Sequence, residues 1–168
     1  MDMKGNQLIN HSAFSLQPSA FTLIELLVVV SLIGVLTTLI AANLNAARER
    51  GRDAARKADL RNLQTALRLY YNDKNFFPAN SEDGKIAGCG AGGITTCSWG
   101  ATWSAGTNVY MSKLPADPIN TQSYKYLQQD SGDSYTLSAC LENRSDDKCQ
   151  NPDDTAWCTS GCMYRVQP

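Results

Sequence analysis

From Phe21 to Ala42 nearly every position is apolar, FTLIELLVVVSLIGVLTTLIAA, whereas from Ala47 to Tyr70 apolar positions recur at three- and four-residue steps with arginine and aspartate between them. The first stretch predicts a helix that is apolar all round, and the second an amphipathic helix with one face against a domain. No proline lies between Phe21 and Lys74, and Gly34 and Gly51 are the only glycines there. The two stretches therefore read as one helix, roughly 80 Å long at 1.5 Å per residue. Its packing face is read as Ala47, Gly51, Ala54, Ala58, Leu63, Ala66, Leu67 and Tyr70, and Pro78 is expected to stop it.

After the helix, residues 79–113 are rich in Gly, Ser, Asn and Thr and read as a loop. The stretch GCGAGG at 88–93 lacks the Gly-Lys-Ser/Thr ending of a phosphate cradle, so no nucleotide site is expected. Two short runs follow, Tyr124 to Leu127 and Tyr135 to Glu142, around the turn-forming Asp130-Ser131-Gly132-Asp133. They predict an antiparallel hairpin within residues 124–142. Tyr135, Leu137, Ala139 and Leu141 alternate with polar positions and supply an apolar face to cover the helix; Cys140 then points to the C-terminal loop. A last strand is expected at Met163 to Val166. The fold class is α+β: a long N-terminal helix packed on a small antiparallel β-sheet with disulfide-tied loops.

Phe21 to Ala42 meets the ~20-residue length of a membrane span and exceeds the apolar core of a secretory signal, and no Ala-x-Ala follows it closely. The division is a leader at 1–20, a membrane half of the helix at 21–43, an amphipathic half at 44–77, and a head at 78–168. The span carries one charge, Glu25. An ionisable group in a spanning segment demands a partner, since it costs a few kcal/mol or more in hydrocarbon. The net charge of −1 hides eight basic and four acidic residues in 44–78 against six basic and ten acidic in 79–168. A basic stalk and an acidic head of this kind would be complementary between neighbouring copies, or would simply be a solvated helix face and an acidic domain. Charge bias near the span favours a cytoplasmic C-terminus. The cysteines argue the reverse: Cys89, Cys97, Cys140, Cys149, Cys158 and Cys162 all lie in the head, an even number in a small loop-rich domain, which fits disulfides outside the cytoplasm. Cys89 pairs most simply with Cys97, and three pairings remain open for the other four.

The one histidine, His11, sits in the leader, which removes the commonest general base from the rest of the chain, and no enzyme is expected. The cysteine spacings contain no Cys-x2-Cys knuckle, so disulfides are preferred to zinc. Asn143, Ser145, Asp146, Asp147, Asp153 and Asp154 offer oxygen ligands of the kind calcium takes, without the EF-hand spacing. They read first as a solvated acidic loop, with calcium at Asn143, Asp146 and Asp147 as the one cofactor alternative to none. Trp99, Trp103 and Trp157 are read as partly buried under loops, with a sugar- or surface-contacting patch as the alternative.

The run SAFTLIELLVVVSLIGVL resembles the N-terminus of type IV pilins and type II secretion pseudopilins, a cleavage site followed by Phe-Thr-Leu-Ile-Glu-Leu. The likeness extends through Asn43 to Arg48, Asp59 to Leu67, Tyr70-Tyr71 and Pro78, and more moderately through Leu114-Pro115-x-Asp117-Pro118 and Tyr124-x-Tyr126. The resemblance implies that a prepilin peptidase cuts between Ala20 and Phe21 and methylates the new amino group of Phe21. The residue before that cut departs from the family's glycine. It implies further that Glu25 pairs with the Phe21 amino group of a neighbouring subunit in a homo-oligomeric filament. The implied partners are other pilins, the peptidase, an inner-membrane assembly platform and lipid before assembly, with no direct nucleic-acid contact. The implied location is a single pass of the cytoplasmic membrane with the head outside, then a cell-surface or periplasmic filament. The readings that compete with this are a non-polymerising, single-span surface-anchored adhesin or binding domain, and a secreted domain starting beyond Ala42.

Overall fold

The computed structural model describes residues 21–151, 156–159 and 161–168. The leader, including Ala20, lies outside them, as do Asp153 and Asp154. Helix α1 runs over Leu23–Lys74, 52 residues. Thr22 precedes its first turn, where Glu25 complements the helix dipole, and Lys74 does so in the last turn. The stop comes three residues before Pro78, at Asn75. This residue takes φ 60° while its N–H still donates to the Tyr71 carbonyl at 2.7 Å, and asparagine tolerates the left-handed conformation that ends a helix.

Eight short strands follow among the described residues. Strands β1 (Ala79–Asn80), β2 (Ile86–Cys89) and β3 (Thr95–Thr96) form one antiparallel sheet, and β4 (Trp103–Ala105) with β5 (Asn108–Met111) a hairpin. Strands β6 (Lys125–Gln129), β7 (Ser134–Cys140) and β8 (Met163–Val166) form the third sheet, β7 central and antiparallel to both neighbours. Residues 79–113, expected to be a loop, thus carry five strands. Their two- to four-residue length gives no alternation to read, and backbone bonds such as Cys97 N–H to the Ile86 carbonyl (2.7 Å) hold them. Gly132, at φ 109°, lets the β6–β7 turn press on the chain after α1: a Cβ there would meet Phe76 Cβ at 3.1 Å.

The core of the head joins Leu60, Leu63, Leu67 and Tyr70 of α1 to Ile86, Trp103, Leu114, Tyr124, Tyr126, Tyr135 and Leu137. Trp103 is fully buried, stacks on Tyr70 at 5.6 Å and donates to the Gly88 carbonyl at 3.0 Å, whereas Trp99 and Trp157 are only partly covered. One expectation for α1 is overturned. Ala47, Gly51, Ala54 and Ala58 are exposed, and the positions turned inward over this stretch are Asp53 and Arg56. Facing them are carboxylates from the ends of other segments, so burial here is ionic, which an apolar pattern cannot reveal.

Candidate assembly site

At the start of α1, Thr22 and Glu25 form a reciprocal cap. The Glu25 N–H donates to Thr22 Oγ1 at 3.3 Å, and Glu25 Oε2 accepts the Thr22 N–H at 3.1 Å and the Thr22 hydroxyl at 2.9 Å. This is the capping box, and it satisfies two backbone donors that a helix start would leave unpaired. Thr22 was not singled out in the sequence, although Thr-x-x-Glu before an apolar run is its signal. Both side-chain contacts fall on Oε2, and an ionised carboxylate has about four acceptor sites. Oε1 therefore keeps room for a cation. Beyond Glu25 the helix exposes Leu26, Leu27, Val28, Val29, Val30, Leu32 and Ile33, and no second charge occurs before Arg48. Ser31, Thr37 and Thr38 turn their hydroxyls back onto the Val28, Ile33 and Val35 carbonyls at 2.7 to 2.8 Å, so the helix's own backbone satisfies them. The helix is long and apolar enough to cross a membrane.

The family model for the prokaryotic N-terminal methylation motif matches residues 18–41. Type II secretion system core protein G of Pseudomonas aeruginosa is 28% identical over 112 residues, 66% of this chain and 74% of that protein. The protein of the same name from Escherichia coli is 30% identical over 100 residues, 58% of this chain and 64% of its own length. That of Pectobacterium carotovorum is 34% identical over 62 residues, 37% of this chain and 40% of its own. The methylation motif and these relatives support a type IV pilin or pseudopilin. No solved structure gives a significant match.

In the head, ion pairs tie the helix to the sheet within one chain. Arg56 is fully buried. Its Nε and Nη2 donate to the two Asp117 oxygens at 2.8 and 2.9 Å, a bidentate fork, and its Nη1 donates to Asp53 at 2.8 Å and to Glu142 at 2.7 Å. Asp53 also accepts the backbone N–H groups of Glu142 (3.0 Å) and Asn143 (2.9 Å), where the chain leaves β7. Asp117 accepts the Ile119 N–H at 2.8 Å, which fixes the Leu114 to Pro118 segment. Arg52 donates to Glu142 at 2.7 Å and Lys57 to Asp146 at 2.6 Å. Arg52, Arg56 and Lys57 of the basic stalk are therefore matched by head carboxylates inside the subunit. Arg56, Asp117 and Glu142 were not found from the sequence as a site; the available signal was Arg56 at four, seven and eleven residues before Leu60, Leu63 and Leu67, on the buried face.

The calcium candidates are partly engaged. Asp146 holds Lys57 and accepts the Lys148 N–H at 2.9 Å, Asn143 Oδ1 accepts the Ser145 N–H at 3.1 Å, and Asp147 lies 3.7 Å from Lys148. Among the described residues no group of three His, Cys, Asp or Glu side chains is placed to hold a metal. The cysteines form three bridges, Cys89–Cys97, Cys140–Cys158 and Cys149–Cys162.

The ion pairs set an acid limit. Hydrogen bonds from Arg52 lead in holding the Glu142 carboxyl down to about 2 from an ordinary 4.5; burial opposes this and Arg56 adds to it. The folded value is depressed, so this stability is present above about pH 4.5 and is lost as the pH falls towards 2. Asp146, lowered first by Lys57, acts in the same sense. Melting temperature should fall steeply over that window, and Glu142→Gln should flatten the fall. An identical acid profile in that variant would remove Glu142 from the account.

Proposed function

We propose that this chain is a structural subunit of a pilus-like filament and is not an enzyme. A prepilin peptidase removes residues 1–20 and methylates the amino group of Phe21, the apolar half of α1 rests in the cytoplasmic membrane with the head outside, and an assembly platform then draws subunits into the filament. The shared name of the three relatives favours a type II secretion pseudopilus over a surface pilus, with a periplasmic filament. No cofactor is required. Alignment of subunits comes from Glu25 of one copy meeting the Phe21 ammonium of another.

The observation that carries this reading is the placing of a single carboxylate, Glu25, four residues beyond Phe21 in an otherwise uncharged apolar surface. Two charges that are each costly in hydrocarbon become less so together, and the need to meet sets the stagger between copies. Intact mass and N-terminal sequencing of the mature protein provide the test. The expected product starts at Phe21 and, with its three disulfides reduced, is heavier than its sequence by the one CH2 that N-methylation adds. A product that starts beyond Ala42, or one that keeps residues 1–20, would sink the reading.

A further inference from the structure

Cys89 and Cys97 are consecutive cysteines bonded to each other, eight residues apart. The last four follow another rule. Cys140–Cys158 and Cys149–Cys162 span 18 and 13 residues, so each closed loop contains one cysteine of the other bridge. The Cα atoms lie 5.4 and 5.1 Å apart, within the reach of a disulfide. The finished sheet brings them together: Cys140 pairs with Met163 between β7 and β8, and Gln150, next to Cys149, exchanges backbone hydrogen bonds with Met163 at 2.9 and 2.8 Å.

An unfolded chain has no such sheet, and its cysteines meet by loop closure, which becomes about threefold rarer with each doubling of loop length. Cys149 is half as far from Cys140 as Cys158 is, and Cys162 is nearer to Cys158 than to Cys149. Cys140–Cys149 with Cys158–Cys162 is therefore favoured over the interleaved set, on the order of tenfold by loop length alone. We propose that the head matures through a thiol–disulfide isomerase, a partner protein with an exposed reactive thiolate, after a disulfide-bearing oxidant has made the consecutive bridges. The isomerase thiolate attacks Cys140 of the Cys140–Cys149 bridge, forms a mixed disulfide and releases the Cys149 thiolate. That thiolate attacks Cys162, making Cys149–Cys162 and releasing Cys158, which displaces the isomerase from Cys140 to make Cys140–Cys158. No net electrons move, and the isomerase thiolate is regenerated. Exchange then ends because Cys140, Cys158 and Cys162 are buried in the closed head, out of reach of an attacking thiolate. This inference does not depend on filament assembly.

The test uses the full chain in detergent, reduced and denatured, then oxidised with one equivalent of diamide per pair of its thiols and no small-molecule thiol, in the absence or presence of a catalytic amount of purified isomerase added in its reduced form. Bridges are mapped by peptide mass spectrometry. Without isomerase the consecutive bridges should outnumber the interleaved ones, and with it the interleaved set should form at least tenfold faster. The double variant Cys149→Ser with Cys162→Ser has no interleaving and should form Cys140–Cys158 equally fast in both conditions. Immediate interleaved pairing without isomerase, or equal acceleration of the double variant, would overturn the proposal.

Discussion

Arg56→Met should destabilise the head by about 3–5 kcal/mol, because it leaves Asp53, Asp117 and Glu142 facing one another without their shared cation. The energetics of such a cluster are asymmetric. A buried ion pair adds little over a well-packed apolar pair, but removing one partner leaves the others desolvated and unneutralised. Here the arginine serves three carboxylates from three places in the chain, so its loss also loosens the Leu114 to Pro118 segment and the chain after β7. A lowering of the melting temperature by about 10 °C or more is expected for a domain of this size. Arg50→Met, at an exposed position on the same helix, should stay within about 0.5 kcal/mol of the parent. Adding Asp117→Asn to Arg56→Met should recover part of the loss, with a coupling energy above about 1 kcal/mol. An Arg56→Met head as stable as the Arg50→Met control would show that the buried cluster contributes nothing to the fold.

The Arg56 cluster also marks the limit of what the sequence discloses. The helix and the β6–β7 hairpin were legible because long apolar periodicity and a turn-rich tetrapeptide each admit few alternatives. Tyr135, Leu137, Ala139 and Leu141, whose alternation identified the inner face of β7, are all fully buried. Strands β1 to β5 were not legible, because their pairing is dictated by backbone bonds and by Trp103 seated on Tyr70. The stripe of small residues from Ala47 to Ala58 misled for a related reason. Alanine at helical spacing looks like a packing face, while the partners that buried Asp53 and Arg56 lie 61 to 90 residues away in sequence. Glu25 is conspicuous as the one charge in an apolar run, whereas its bond to Thr22 is signalled only by the Thr-x-x-Glu spacing.

Glu25→Ala should leave the head as stable as in the parent, since residue 25 is not among the residues of the head's buried core, and should abolish filaments. The capping box complicates this result, because alanine removes the Thr22 contact together with the charge. Glu25→Gln separates the two. Glutamine also serves at this position of a capping box, so its amide oxygen can accept the Thr22 N–H while offering no negative charge to an ammonium. If pairing with Phe21 sets the stagger, Glu25→Gln should fail to assemble as completely as Glu25→Ala, with at least tenfold fewer filaments by electron microscopy and unchanged cleavage after Ala20. Both variants should also remain more firmly in the membrane, because a neutral residue removes roughly 2.5–3.5 kcal/mol of insertion cost at mid-bilayer depth, and less near the interface. Normal filaments from Glu25→Gln, with none from Glu25→Ala, would reassign Glu25 from a pairing partner between subunits to a cap within one.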